Sequence, residues 1–209
     1  MEQLIQQMSS LTDIELIDRI LSGEKNLFEA IIRRYNQRLY RVGMAILRNE
    51  TETEDAMQNA YLNAYVHLQS FGRRSAFGTW LTRIMVNECL GQKNKQRNVY
   101  QTLQQTENVT TMATPAHLLA NKELSVLLED AIAQLPEKYR LVFVLREIEE
   151  MSVRETGEAL HIEESNVKVR LNRARTMLKK NLNGYMKDNI YSFHLTRCDR
   201  IVNRVMLLI

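Results

Sequence analysis

Proline, glycine and cysteine are scarce in this sequence, and each scarcity excludes a class of protein. Two prolines and seven glycines among 209 residues exclude collagen-like and Pro/Gly-rich low-complexity chains. Two distant cysteines, Cys89 and Cys198, provide neither a disulfide framework nor a zinc-binding spacing. No apolar run approaches the length of a membrane-spanning helix, and the acidic, amphipathic N-terminus is unlike a signal peptide. We therefore expect a protein of a reducing compartment, the cytoplasm, without membrane insertion.

Helix-forming residues dominate the remainder of the chain. Leu, Glu, Arg, Gln, Ala and Met are frequent, whereas β-branched alternation is rare. Apolar residues recur at helical spacing over 28–46 and predict one long helix there. Two further helices are predicted over about 54–68 and 79–93, with the loop SFGRRSAFG between them. These patterns predict an all-α fold.

Composition changes sharply at residues 98–117. This stretch, NVYQTLQQTENVTTMATPAH, holds one acid and no lysine or arginine, and Thr, Gln and Asn are abundant. We interpret it as a flexible polar linker between two helical domains.

In the second domain, SVRE at 152–155 is a capping-box pattern that begins a short helix ending near Leu160. A turn at His161 and a longer helix over about 163–180 follow.

The longer helix concentrates positive charge. Residues 165–180 carry six basic side chains and no acidic one, although the whole chain holds 28 basic and 25 acidic residues. Its apolar stripe consists of Val167, Leu171, Ala174 and Leu178. The pair of helices matches a helix-turn-helix, whose second helix enters the major groove of DNA. The alternative is a solvated helix whose cations favour its C-terminus, and Glu163 and Glu164 would repel a phosphate. The acid-free run over four turns favours DNA binding.

The helix over 54–68 presents a mixed face opposite its apolar one. A carboxylate, amides and aliphatic side chains occur together there, which suits a protein contact. An ordinary solvated surface with incidental aliphatic residues is the alternative. The members of this mixed face are Asp55, Gln58, Asn59, Leu62 and Val66.

Aromatic and arginine side chains alternate between residues 71 and 87. Trp80, Arg83 and Asn87 lie within one narrow arc of a helix, and the loop before it contains two phenylalanines and two arginines. Rings can stack on unpaired bases, arginine can bind phosphate and asparagine can read a base edge. The alternative is that Trp80 and Phe77 are core residues.

These segments together resemble a known family. The sequence is similar to bacterial extracytoplasmic-function (ECF) sigma factors of the sigma-70 family over about residues 10–183. DAMQNAY resembles the family's DxxQExF element, and FGTWLTRIMVN matches the FxTWLxRIxxN core of its promoter-melting segment. LPEKYRLVFVLREIEEMSVRETGEALHIEESNVKVRLNRARTML resembles its region 4 helix-turn-helix. The resemblance implies sigma region 2 over 10–97, a linker over 98–117, region 4 over 118–184 and an amphipathic tail over 185–209.

The resemblance also implies three functional surfaces. One binds the β′ clamp of core RNA polymerase: Asp55, Gln58, Asn59 and Leu62. A second captures melted bases of the minus-ten element: Phe71, Arg73, Arg74, Ser75, Phe77, Trp80, Arg83 and Asn87. A third binds the minus-thirty-five element as duplex: Ser165, Asn166, Lys168, Val169, Arg170, Asn172, Arg173 and Arg175. Further implied partners are the polymerase β flap and an anti-sigma factor.

The sequence departs from the family pattern at a few positions. Asn59 stands where the family usually has Glu, Gly78 replaces a larger residue, and Thr156–Gly157 replaces the usual Ile–Ala. These departures fall in three parts of the family pattern: Asn59 in the clamp-binding element, Gly78 beside the base-capture loop, and Thr156–Gly157 in the first helix of the helix-turn-helix.

An enzyme is not expected, because no glycine-rich phosphate loop, metal-ligand cluster or nucleophile–base pair occurs. His194 and Cys198 are four residues apart, but two ligands do not make a metal site, and no cofactor is expected. The alternative functions are a sigma-like decoy that sequesters an anti-sigma factor and a stand-alone helix-turn-helix repressor. The repressor would leave the whole first domain unexplained.

Overall fold

The structure, a computed structural model, describes residues 11–103 and 121–189, with side chains placed over 11–96 and 126–182. All regular elements in these ranges are helical, which confirms the all-α prediction. Most of the linker and residues 190–209, including His194 and Cys198, lie outside the described residues. The helices are α1 Asp13–Leu21, α2 Phe28–Leu47, α3 Glu50–Val66, α4 Phe77–Leu103, α5 Asn121–Ala133, α6 Glu137–Phe143, α7 Val153–Leu160 and α8 Glu164–Asn189.

Three helix boundaries differ by several residues from those predicted, and one of them is the end of α8, which continues to Asn189 instead of ending near residue 180. α3 begins four residues earlier than the pattern indicated, at Glu50, because the side chain of Asn49 accepts a hydrogen bond from the backbone of Glu52 and caps the helix. α4 continues to Leu103, so residues 98–103, which we had assigned to the linker, are helical. No glycine or proline occurs between residues 92 and 103 to end that helix.

The first domain is formed by the mutual packing of α2, α3 and α4, with α1 against α2. Its core includes the fully buried side chains of Leu39, Val42, Leu81 and Met85. Cys89 is buried in the same core, and desolvation raises the pKa of its thiol to about 12. The thiol therefore stays protonated at neutral pH and acts as a small apolar residue.

The second domain contains the predicted helix-turn-helix. The Ser152 hydroxyl accepts from the Glu155 amide, and the Glu155 carboxylate accepts from the Ser152 amide, so the capping box that starts α7 is confirmed. His161 ends α7 in the left-handed conformation, at φ 52°, and turns the chain into α8. The apolar stripe of α8 packs inward as predicted, with Val167, Leu171 and Ala174 buried.

Gly157 explains one departure from the family pattern. A Cβ atom at this position would lie 2.8 Å from the carbonyl oxygen of Ile162, which is closer than carbon and oxygen atoms can pack. The Ile162 amide donates to the carbonyl oxygen of Gly157 at 3.1 Å, so the turn folds directly back onto this point of α7. Glycine therefore permits the tight turn between the two helices of the motif.

We predict that Gly157→Ala destabilises the second domain by about 1–3 kcal/mol, because overpacking costs more than the gain in helix propensity. Thermal unfolding followed by circular dichroism measures the change. Gly91→Ala is the matched control, since Gly91 lies inside α4 with no atom within 4 Å of the added Cβ. That control should stabilise the protein by about 0.5–1 kcal/mol. Equal effects of the two substitutions would contradict the packing role of Gly157.

The two domains pack against each other. α7 contacts α4, and α6 contacts α2. Leu141, Val144 and Leu145 from the second domain lie in one continuous apolar core with the first domain. The predicted nucleic-acid surfaces of the two domains are therefore held within one folded unit.

Candidate nucleic-acid and polymerase interface

The outer face of α8 is exposed, because it lies opposite the buried apolar stripe of the helix. Lys168, Val169 and Asn172 are all solvent-accessible, and Val169 is 49% exposed. Ser165 and Asn166 are exposed in the first turns of the helix. The second helix of the helix-turn-helix therefore presents three kinds of side chain to solvent. They are the positive charge of Lys168, the methyl groups of Val169 and the amide of Asn172.

The arginines of α8 are held by neighbouring side chains. Arg170 Nε donates to Asn166 Oδ1 at 2.9 Å, and Arg173 Nη1 donates to the Tyr139 hydroxyl at 3.3 Å. The hydrogen bond from Arg173 lowers the pKa of the Tyr139 hydroxyl. Arg175 Nη2 forms an ion pair with Glu147 at 2.8 Å. Lys168 is exposed and forms no ion pair within the described residues, so its charge is available to phosphate.

The predicted mixed face of α3 is present in the structure. Asp55, Gln58 and Asn59 are exposed, and Leu62 and Val66 are 65% and 72% exposed. The opposite side of the helix buries alanines at 56, 60 and 64. Two exposed aliphatic side chains one helical turn apart beside a carboxylate are typical of a protein-binding surface.

Phe71 and Phe77 do not lie on the surface. Phe77 is 2% exposed and Phe71 is also buried, and their ring centroids are 5.3 Å apart in an edge-to-face pair. We had placed both among the residues that face the melted strand. Two apolar rings that pack together are more stable in the core than in water. The alternative that Phe77 is a core residue is therefore correct, and it also applies to Phe71.

Trp80 rests on these two rings. Its centroid lies 5.3 Å from that of Phe71 and 5.5 Å from that of Phe77, and the residue is half-buried. The two phenylalanines thus support the indole from inside. The remaining indole surface lines a cleft of about 360 Å³, which leaves an aromatic surface in contact with a solvent-filled space.

Cationic side chains line the same cleft. Arg74, Ser75 and Arg83 contribute to its wall beside Trp80, whereas Asn87 is exposed two turns further along α4. Arg73 adopts φ 53° and pairs with Asp18 of α1, so its charge is already partly neutralised. The opposite wall comes from α7 of the second domain, with Arg154, Glu158 and His161. Sequence reasoning missed this second wall, because no local pattern indicates which residues of another domain pack nearby.

The described helices lack two further kinds of feature. None of them has both the length and the apolar character required to cross a membrane. Over residues 11–103 and 121–189, no three His, Cys, Asp or Glu side chains are grouped as metal ligands.

Comparison with known proteins identifies the family. The Sigma-70 region 2 model matches residues 31–99, and the Sigma-70 region 4 model matches residues 125–178. The ECF RNA polymerase sigma factor SigW of Bacillus subtilis is 34% identical over 176 residues, which cover 79% of this chain and 94% of that protein. The chain belongs to the ECF sigma factors. The resemblance inferred from the three motifs is therefore confirmed.

Other relatives of this ECF sigma factor agree with that assignment. The ECF RNA polymerase sigma factor SigM of Mycobacterium tuberculosis is 28% identical over 179 residues, covering 86% of this chain and 88% of that protein. The solved structure of the sigma factor RpoE with the anti-sigma factor NepR from Bartonella quintana has a TM-score of 0.63 at 20% identity. It covers 75% of this chain and 96% of that chain, and this likeness supports the fold.

The matched regions enclose the surfaces described above. The mixed face of α3 and the Trp80 cleft residues of α4 fall within region 2, and the exposed face of α8 falls within region 4. All three surfaces thus lie within the segments that match the Sigma-70 family models.

Proposed function

We propose that this ECF sigma factor binds core RNA polymerase and directs promoter-specific transcription initiation. The observation that supports this best is the presence of two different nucleic-acid surfaces on one chain. α8 presents Lys168, Val169 and Asn172 from a helix-turn-helix, and α4 presents Trp80 and Arg83 beside a cationic cleft. The first surface suits duplex DNA and the second suits an unpaired strand.

The α8 surface binds the minus-thirty-five element in the major groove, which admits one α-helix. Lys168 contacts a phosphate, Asn172 can donate to and accept from an adenine edge, and Val169 can contact a thymine methyl group. Ser165 and Asn166 lie near the helix N-terminus, where small polar side chains contact the backbone. Arg170, Arg173 and Arg175 join these contacts by releasing their present partners.

The α4 surface captures a melted base of the minus-ten element. A base stacks on the exposed side of Trp80, Arg74 and Arg83 bind the flanking phosphates, and Asn87 reads a base edge. Ser75 lies within the same cleft, and Arg73 holds the loop to α1. Phe71 and Phe77 act from the core by fixing the indole. Strand opening therefore needs no catalytic residue, because binding energy stabilises the opened state.

Protein partners complete the proposal. Asp55, Gln58, Asn59 and Leu62 on α3 bind the β′ clamp of core polymerase, and region 4 contacts the β flap. Two solved structures of similar fold are complexes, one of the sigma factor RpoE with the anti-sigma factor NepR and one of CnrH with the cytosolic domain of CnrY. We infer that an anti-sigma factor also binds this chain, in the cytoplasm, where polymerase acts.

Leu62→Asp tests the α3 surface. We expect it to weaken binding to core polymerase roughly tenfold, because a charge would be buried in place of an aliphatic contact. Affinity is measured by titrating labelled core polymerase with the full chain. Leu21→Asp is the matched control, since Leu21 is an exposed leucine on α1, away from that face. Equal loss of affinity in both variants, or in neither, would contradict the assignment of α3.

Lys168→Ala tests the α8 surface. We expect duplex affinity to fall roughly three- to tenfold for all sequences alike, and the slope of log affinity against log salt to shrink by about 1. Fluorescence anisotropy with a duplex carrying the chain's own upstream region measures both. Lys25→Ala removes the same charge from the first domain and should change neither quantity. An unchanged salt slope in Lys168→Ala would place this lysine away from phosphate.

A further inference from the structure

The loop before α4, which we call the base-capture loop, comprises residues 71–76 and is fixed at both ends. At its start Phe71 is buried, and its amide donates to the carbonyl oxygen of Leu68 at 3.2 Å. At its end the carbonyl oxygen of Ala76 accepts from the Trp80 amide at 3.2 Å. Within the described part of the chain, the residues between these two ends form no backbone hydrogen bond. The conformation of the middle of the loop therefore depends on side-chain contacts.

Arg73 lies in the middle of this loop in the left-handed backbone conformation, at φ 53°. His161 adopts the same conformation, but it ends α7, and helix ends are where left-handed residues are common. Inside a loop, this conformation is unfavourable for a residue with a Cβ atom unless a contact stabilises it. The next two side chains, Arg74 and Ser75, line the cleft beside Trp80. The turn at Arg73 thus determines how the loop enters the cleft.

The contact that stabilises this turn is an ion pair with α1. Arg73 Nη2 donates to Asp18 Oδ1. α1 is itself anchored in the core by Leu16 and Ile17, which are at most 1% exposed, and it contacts the turn Leu68–Ser70 that precedes the loop. Asp18 is therefore a carboxylate on a fixed helix that faces the middle of the loop.

Helix stability does not explain the presence of Asp18. This residue lies in the last turn of α1, where the helix dipole disfavours a carboxylate. The side chains of Arg73 and Asp18 are 49% and 52% exposed, and pairs as exposed as this contribute little to global stability. A small contribution is nevertheless enough to select one conformation of a loop, because the alternatives lie close in free energy. The position of Asp18 suits control of the loop.

We propose that Asp18 is a positioning residue for base capture: its pair with Arg73 holds the loop in the left-handed turn that places Arg74 and Ser75 beside Trp80. This inference rests on the proposed function for the ligand of the cleft. Asp18 does not contact DNA. It reduces the number of conformations that the loop loses when a melted base and its phosphates bind.

Asp18→Asn tests this role, because it removes the charge and keeps the size of the side chain. Without the pair the loop leaves its turn more often, so trypsin should cleave the bond after Arg74 roughly two- to fivefold faster. Mass spectrometry identifies the bond, and each rate is divided by the rate for a synthetic peptide of the same sequence. Promoter opening by core polymerase with the full chain, measured by permanganate oxidation, should fall roughly two- to fivefold.

Glu24→Gln is the matched control. Glu24 pairs with Arg19, and their side chains are 48% and 47% exposed, close to the values for Asp18 and Arg73. The control therefore removes the same charge from an equally exposed pair that does not involve the loop. Cleavage after Arg74 and promoter opening should both equal those of wild type. The two variants should share one melting temperature, which shows that neither disturbs the fold.

Charge reversal separates a positioning role from a direct contact with DNA. Asp18→Arg combined with Arg73→Asp restores the pair in reverse, and aspartate tolerates the left-handed conformation better than most residues. We expect cleavage and opening to return to within about twofold of wild type. If Arg73 instead bound a phosphate and Asp18 only weakened that contact, Asp18→Asn would raise opening. The reversed pair would then lower opening, because it places a carboxylate in the loop.

The outcomes distinguish this inference from the proposed function. A cleavage rate for Asp18→Asn equal to that of Glu24→Gln would show that the pair does not hold the loop, whatever transcription shows. Faster cleavage with unchanged or increased opening overturns the positioning role. If Trp80→Ala leaves opening unchanged, base capture fails together with the proposed function. The cleavage rates still decide whether Asp18 holds the loop, because they require neither DNA nor polymerase.

Discussion

Trp80→Ala is expected to lower promoter opening roughly 10- to 100-fold, because stacking on an aromatic side chain is worth about 1–3 kcal/mol per base. The indole is supported by Phe71 and Phe77, with centroids 5.3 and 5.5 Å away, and its remaining surface faces the cleft. Permanganate oxidation of unpaired thymines in the complex of polymerase, this chain and promoter measures opening. Binding to core polymerase and to duplex DNA should remain, since we assign those surfaces to α3 and α8.

Trp80→Phe is the control for this prediction. A phenyl ring at the same position keeps an aromatic surface and the contacts with Phe71 and Phe77, so opening should stay within a few-fold of wild type. Trp80→Ala with wild-type opening would show that no base stacks on this side chain. A loss of duplex binding in the same variant would indicate instead that the fold is disturbed.

Arg140→Leu is expected to lower the free energy of unfolding by about 3 kcal/mol or more, since a charged hydrogen bond contributes about 1.5–3 kcal/mol. The buried guanidinium donates to three backbone carbonyl oxygens: Ala45 at 2.6 Å, Ala133 at 2.7 Å and Leu135 at 3.0 Å. Ala45 lies in the last turn of α2 and Ala133 ends α5. Arg140 thus satisfies the negative C-terminal ends of helices from both domains.

The melting temperature gives the measurement. A loss of about 3 kcal/mol corresponds to a decrease of roughly 6–12 °C for a chain of this size. Arg33→Leu is the control. Arg33 lies on α2 and forms an exposed ion pair with Glu29. Exposed pairs of this kind contribute about 1 kcal/mol or less to the free energy of unfolding. Arg140→Lys should fall between, since an ammonium group cannot reach all three carbonyls. A wild-type melting temperature for Arg140→Leu would contradict the bridging role.

Features that depend on neighbouring residues could be predicted from the sequence. The capping box at Ser152 and Glu155 fixes the start of α7, and both partners of that interaction lie within four residues. The inward stripe of α8 follows from the spacing of Val167, Leu171 and Ala174 alone, because helix geometry determines which side chains share a face. The exposed face of α8 was predictable for the same reason.

Features that depend on distant contacts could not be predicted. Arg140 and Ala45 are 95 positions apart, and Arg38 and Glu149 are 111 apart, so both interactions are invisible to local patterns. In the sequence these residues resemble ordinary surface charges. Phe71 and Phe77 show the same difficulty, since an aromatic residue beside arginines suits a nucleic-acid surface and a core equally well until packing is known.

The packing of the two domains changes how the sequence motifs should be interpreted. The motifs predict surfaces for duplex, melted strand and polymerase, but they do not show that Arg154, Glu158 and His161 of the second domain line the cleft beside Trp80. These residues precede the basic helix and carry no nucleic-acid signal of their own.

Runoff transcription with bacterial core polymerase tests the central claim most directly. The template carries the region upstream of this chain's own gene, with random genomic fragments as a second template. The account predicts a discrete transcript that requires this chain and that Asp55→Ala, Trp80→Ala and Arg173→Ala each weaken. Binding to core polymerase without any transcript would instead indicate a sigma-like decoy. No binding to core polymerase, with duplex binding retained, would contradict the sigma-factor function and leave a simple DNA-binding regulator.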